Sequence, residues 1–275
     1  MQCTSNLKQL ALACANYESQ HGMYPPGATG RGFGWIVCIL PHLDQKAVYD
    51  AIDFSETPAK QPAVIRLLIP GLTCPSDGSA GLPNPGTTAS VSYAANSGTG
   101  IQAAGYNGMF RHMASVAGFP GGPILVRDVV DGASQTALLS EVLPGNGTGH
   151  WLRTEWYLTI ERSAPEQLDE FADACVRETP RQTSQGDWYG DTWSRGRVWT
   201  HGDSGSTWYN HVLTPQSPSC FNGSRIQYGA YTAASLHAGG VNVAYADGHV
   251  AFATASIDRN LWRGFGSRVD RDLGQ

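Results

Sequence analysis

Charge is scarce in this chain: Asp, Glu, Lys and Arg make up 15% of its 275 residues, against about 25% in ordinary soluble domains. The formal net charge is −5 and no basic run occurs, which argues against a nucleic-acid partner and gives no support for docking on an anionic membrane surface. No segment reaches the roughly 18 consecutive apolar residues of a membrane span, and the opening residues do not read as a secretory signal. As given, the chain reads as soluble. None of the six cysteines forms a C-x-x-C pair, so the usual signature of a zinc knuckle is missing. No internal repeat is visible.

Glycine, proline and aromatics are abundant: Gly 33, Pro 16, Trp 8 and Tyr 11. This composition reads as a β-rich, loop-rich chain with many aromatic anchors, and its length suffices for a sizeable core. An even cysteine count in such a chain suits disulfides formed outside the cytoplasm, although the count alone leaves the pairing open. Cys175 and Cys220 are the pair favoured by position, because both flank the irregular aromatic segment that most needs a staple.

Residues 4 to about 20 read as a helix. Leu7, Leu10, Ala11, Cys14 and Tyr17 form one apolar stripe. Thr4 or Ser5 would cap its start, and His21-Gly22 would end it. Leu43–Ile52 and Ala63–Leu68 read as shorter helices, and Pro165–Val176 as another. Val91–Ala95, Thr136–Val142 and Trp151–Ile160 read as strands. Val241 to Phe252 reads as a hairpin closed by a two-residue Asp247-Gly248 turn. That turn sets Tyr245 opposite Val250 and Val243 opposite Phe252. It gathers Val241, Val243, Tyr245, Val250 and Phe252 on one large apolar face. A tail helix near Ile257–Phe265 would pack Trp262 onto the body. The expected fold class is α+β, an N-terminal helix (residues 1–22) packed on an antiparallel β-sheet. The expected organisation is one domain over 1–275, with an aromatic-rich subdomain inserted at 145–225.

Several stretches in chain order resemble one known family. They are Gln2-Cys3-Thr4-Ser5-Asn6-Leu7-Lys8-Gln9, Tyr24-Pro25-Pro26-Gly27, Leu40-Pro41-His42-Leu43-Asp44-Gln45, Cys74-Pro75-Ser76-Asp77, Tyr93-Ala94-Ala95-Asn96-Ser97-Gly98, and His237 followed after nine residues by Asp247-Gly248. The family is that of bacterial pseudopilin-like proteins, with a type IV pilin-type N-terminus and a C-terminal domain of unassigned function catalogued as solute-binding-like. The resemblance implies a pilin-like fold and a role in assembly, secretion or surface display. It implies other pilin-like subunits as partners, met through the N-terminal helix. It also implies a natural protein held in the inner membrane by a helix upstream of Met1, with this domain in the periplasm or at the cell surface. It pairs Cys3 with Cys74. Cys14, on the apolar stripe, is then a buried thiol.

Four groups carry alternative chemistry. Glu141, Glu155 and Glu161 supply carboxylates for a glycan- or ester-cleaving hydrolase, against the plainer reading of solvated acids. Trp151, Trp156, Tyr157, Trp188, Tyr189, Trp193, Trp199, Trp208 and Tyr209 offer faces for stacking glycans, with Asp187, Asp191, Arg195 and Arg197 to bond hydroxyls. The plainer reading makes these aromatics core anchors for long loops. His237 with Asp247 suggests a metal or ligand site, whereas Asp247-Gly248 alone already makes a turn. Calcium is the metal considered there, with Asp247 as its candidate ligand; it needs six to eight oxygens and no dense Asp/Asn loop lies nearby, so the expectation is no cofactor, with calcium kept as the alternative. His201-Gly202-Asp203-Ser204-Gly205 superficially resembles the nucleophile segment of chymotrypsin-like proteases; the rest of that pattern is missing, and a loop is the preferred reading. The leading expectation is non-enzymatic.

Overall fold

The computed structural model describes residues 1–78, 88–101, 107–115, 121–158, 167–185, 190–191, 195–222 and 229–269, with the backbone alone at 178–185 and 190–191. Its helices are α1 (Gln2–His21), α2 (Trp35–Ile39), α3 (Lys46–Asp50), α4 (Pro62–Ile65), α5 (Leu168–Gln185) and α6 (Arg259–Gly266). Its strands are β1 (Tyr93–Asn96), β2 (Ala137–Glu141), β3 (Glu155–Tyr157), β4 (Gly190–Asp191), β5 (Trp208–Tyr209), β6 (Ser219–Phe221), β7 (Gly229–Ala230), β8 (Gly240–Tyr245) and β9 (Val250–Thr254). The class is α+β. One sheet runs β5-β1-β2-β8-β9, antiparallel except that β5 joins β1 in parallel. A second, β4-β3-β6-β7, takes all its strands from the stretch between Glu155 and Ala230.

α1 lies on the first sheet through the expected stripe: Leu7, Leu10, Ala11, Cys14 and Tyr17 are buried, while Lys8, Gln9 and Asn16 face solvent. It ends at Gly22, whose φ of 70° lets its N–H reach back to Glu18 O. Neither Thr4 nor Ser5 caps the start; the helix begins before them, and Thr4 Oγ1 is turned instead toward Asn242. The expected helix over 43–52 is interrupted because Asp44 sits in the left-handed region at φ 57°, which splits it into a turn and the short α3. Of the strand expected over 151–160, the described part is β3, which starts late because Arg153 and Thr154 bond back to His150 O in a turn; residues 159–160 lie outside the described residues. Among the described residues no helix is long and apolar enough to cross a membrane.

The hairpin differs from expectation by one residue. Val243 pairs with Ala251 and Ala244 with Val250. Tyr245 N–H donates to His249 O, and Gly248 N–H to Tyr245 O. The loop therefore has three residues, with Gly248 at φ 87° in its last position. Because side chains alternate with period two, this slip moves Val250 and Phe252 to the opposite face. Val241, Val243 and Tyr245 pack with Trp262, while Ala244 and Val250 join the core beneath α1. Both faces of β8 are thus covered, and the apolar residues expected on one large face are divided between two.

α6 seats this second face. Asp258 caps it by accepting from Asn260 and Leu261 N–H, and the fully buried Trp262 stacks on His211 at 4.0 Å. Gly266 touches the same histidine: a Cβ there would meet His211 Cβ at 2.6 Å. Gly266→Ala is accordingly expected to cost about 1–3 kcal/mol through overpacking, read as a lower urea midpoint; an unchanged midpoint would mean that α6 sits elsewhere.

Two disulfides tie the layers, Cys3–Cys74 and Cys175–Cys220. Both are the pairs anticipated above. Cys14 and Cys38 are free thiols, Cys14 fully buried. Burial pushes Cys38 up to about 12 and Cys14 higher still, which favours the thiol over the thiolate at both.

Candidate functional site

The site is assembled where β2 ends beneath the first turn of α1. Glu141, the last residue of β2, is 1% exposed. Asn242 of β8 holds its carboxylate with three contacts: the backbone N–H donates to Oε2 at 2.7 Å, and Nδ2 lies 3.1 Å from each oxygen. His237 Nε2 completes the set, 3.0 Å from Oε1. His237 stands on the bend before β8. That bend is braced by Ser235 Oγ, which accepts from His237 N–H, and by Gln216, whose amide exchanges hydrogen bonds with Ser235 N–H and O. The imidazole is 24% exposed and so links the buried carboxylate to solvent.

Against this pair lies the Cys3–Cys74 disulfide. Cys74 Sγ is 3.7 Å from His237 Nε2 and 3.9 Å from Glu141 Oε1. One potential ligand atom from each of Cys3, Cys74, Glu141 and His237 can be chosen so that all lie within 4.8 Å of one another. The roof is polar as well. Asn6 Nδ2 donates to Thr73 O and to the Tyr93 hydroxyl, which in turn reaches Cys3 O. Burial pushes the Tyr93 hydroxyl well above its ordinary value; the Asn6 hydrogen bond opposes this and the Glu141 charge adds to it. The pair is not a nucleophilic triad. Such a triad places acid and nucleophile on opposite ring nitrogens, whereas both Cys74 and Glu141 approach Nε2. Asn242→Ala, which removes the two Nδ2 contacts to the buried Glu141 carboxyl group, is expected to cost about 2 kcal/mol in urea unfolding, with no loss of helix signal.

The remaining candidates are scattered. Asp247 stays in the hairpin turn, where Oδ1 accepts from His249 N–H at 3.1 Å and lies 2.6 Å from His249 Nδ1. The His237…Asp247-Gly248 motif therefore splits: its histidine serves the site and its Asp-Gly serves the turn. Glu155 is buried in β3, in the other sheet, where its charge favours the protonated form of Arg195. Arg195 itself is buried, which lowers it to about 10, and donates to Ser219 Oγ and Thr232 O. Glu161, Trp188, Tyr189, Trp193 and Asp187 lie outside the described residues, as does the Asp191 side chain. Trp156, Trp199, Trp208 and Tyr209 are at most 2% exposed, with Trp208 Nε1 donating to Gly27 O; they anchor the core. Trp151, at 44%, presents the largest open face of the described set. Residues 201–205 form a loop in which Asp203 Oδ1 accepts from Ser206 N–H. Sequence reasoning missed Asn242, Asn6 and Tyr93, although an asparagine inside the apolar run Val241–Tyr245 was a usable signal.

Residues 1–260 match the model of one protein family, described as protein of unknown function (DUF1559) and labelled SBP_bac_10. The chain belongs to that family. No curated protein and no solved structure matches it.

Proposed function

We propose that this chain is the extracytoplasmic, pseudopilin-like body of a cell-envelope or fibre-associated protein, acting in assembly or display through α1 rather than in catalysis. The observation that supports it is the clamp at the start of α1. The Cys3–Cys74 bond ties the first helical turn to the loop before β1, and Cys74 Sγ lies 3.9 Å from Glu141 at the end of β2; on this reading helix and sheet act as one unit. An assembling subunit needs that rigidity if contacts made by the helix are to orient the displayed sheet. Two disulfides favour an oxidising compartment.

The partner on this reading is another copy or a related pilin-like subunit. Its surface is the solvent side of α1, where Leu12 is 60% exposed beside a groove of about 430 Å³ reaching His42 and Gly71. In cells producing the protein, a Leu12→Cys variant is expected to give disulfide-linked dimers on mild oxidation. Val130→Cys, on a residue 72% exposed but remote in sequence from α1, should not. Equal capture at both positions, or none at Leu12, counts against assembly through α1.

A further inference from the structure

We propose that Cys3, Cys74, Glu141 and His237 form a redox-gated binding site for a thiophilic divalent cation, zinc by its chemistry. Oxidised, the site is closed as a disulfide. Reduced, it offers two thiolates, one imidazole and one carboxylate. That donor set suits zinc and is foreign to calcium or magnesium, which take oxygen ligands.

The geometry supports the assignment. A tetrahedral zinc with bonds of about 2.0–2.3 Å holds its ligand atoms about 3.3–3.8 Å apart. Cys74 Sγ to His237 Nε2 is 3.7 Å, Cys74 Sγ to Glu141 Oε1 is 3.9 Å, and His237 Nε2 to Glu141 Oε1 is 3.0 Å. All four ligand atoms lie within 4.8 Å of one another, and the two sulfurs, bonded in the closed site, separate on reduction. The ligands are also held from outside, as metal ligands generally are: Asn242 orients Glu141, and Ser235 with Gln216 fixes the bend carrying His237. A structural staple explains the burial of the two cysteines. It needs neither a carboxylate nor an imidazole converging on its sulfurs, and here both come from separate segments.

The chemistry balances with an external dithiol as reductant. The Cys3–Cys74 bond is broken by two electrons and two protons from the dithiol, which leaves as its own disulfide. The cation then replaces one proton on each cysteine, releasing two protons. The His237–Glu141 contact is exchanged for bonds to the ion.

The test uses the whole chain with Cys14→Ala, Cys38→Ala, Cys175→Ser and Cys220→Ser, so that reduction exposes the Cys3 and Cys74 thiols without competitors. It is reduced with dithiothreitol, freed of reductant under anaerobic conditions and titrated with Co²⁺. The expected result is one Co²⁺ per chain, with thiolate charge-transfer absorption and tetrahedral d–d bands, displaced by Zn²⁺. The oxidised chain should bind none. His237→Ala and Glu141→Gln should each weaken binding at least ~10-fold, since even changes outside the ligand set cost that much. Circular dichroism follows the fold throughout; a reduced chain that loosens should regain its signal on adding Zn²⁺. The proposal is overturned if the folded reduced chain binds no Co²⁺, or if His237→Ala leaves affinity and spectrum unchanged. Equal binding by the oxidised chain would also overturn it, as would a lost fold that Zn²⁺ does not restore.

Discussion

Removing the clamp on α1 by changing both Cys3 and Cys74 to serine is expected to lower the unfolding free energy by about 4 kcal/mol. The bond spans a sequence separation of 71, and a cross-link closing a loop of that length restricts the unfolded chain by about this amount. For a chain of this size the melting temperature should fall on the order of 8 °C. The cost should be felt locally too. Amide exchange over α1 should accelerate most in its first turns, where the clamp acts, while the Leu10–Tyr17 stripe retains its apolar packing. Loss of the Cys175–Cys220 bond, with a separation of 45, is an internal control of similar size. Its exchange effects belong to α5 and β6 and should leave α1 unchanged. Oxidised parent and both serine variants compared by urea unfolding and hydrogen exchange decide the matter. A loss below about 1 kcal/mol for the Cys3/Cys74 variant would mean that the bond does not hold α1, and the rigid-unit basis of the assembly role would fall with it.

What was legible in the chain followed from local periodicity. The α1 stripe, the strand at Ala137–Glu141 and the terminal hairpin each carry a spacing that only one element satisfies. The hairpin register was not legible, for a physical reason. Asp-Gly fits a two-residue turn and the last two places of a three-residue loop alike. The choice is made by tertiary packing: Tyr245 stacks on His249 at 4.3 Å and meets Phe265 edge-on. Those contacts require the pairing that sets residue 245 opposite 249. Burial of the aromatics was equally undecidable, since tryptophan serves a core and a sugar-binding face with the same side chain.

The candidate site shows the same division. Glu141 entered as a stray carboxylate, His237 as a motif residue, and Cys3 with Cys74 as a pair implied by family resemblance. Their meeting is a property of topology. β8 inserts beside β2 although 98 residues intervene, and this places Asn242 and His237 on Glu141. No local pattern encodes that adjacency. Asn242 fell on the hairpin face opposite the expected large apolar one. With the register corrected, that face is the one under α1, where an unpaired amide would be costly.

Stability is expected to fall steeply below pH 6.5, and His211 is the largest single cause. Its ring is fully buried against Trp262 and Gly266. Nδ1 lies 2.8 Å from Trp262 O, which can only accept, so Nδ1 carries the proton; Nε2 then accepts from the Tyr209 hydroxyl at 3.0 Å. Every polar atom of the neutral ring is used; a second proton would force the Tyr209 hydroxyl to turn from donor to acceptor and would leave a positive charge in a fully buried site. Burial lowers the group from its ordinary 6.5 to about 3, with the Trp262 hydrogen bond opposing. Between these values the unfolded chain binds a proton that the native chain refuses, so stability rises with pH. The contribution is fully present above pH 6.5 and is lost as the pH falls toward 3, on the order of 5 kcal/mol in all and about 2 kcal/mol by about pH 5. His112 and His201, also lowered by burial, add smaller effects of the same sign. Few carboxylates titrate above about pH 5, which leaves that window to the histidines. Urea unfolding at about pH 7 and about pH 5, on the parent and on His211→Asn, measures the effect. The asparagine amide can still donate to Trp262 O but takes up no proton, so its profile should be flatter by the His211 share. A variant as pH-sensitive as the parent would show that the native ring accepts the second proton, and that His211 is not packed as a neutral core histidine.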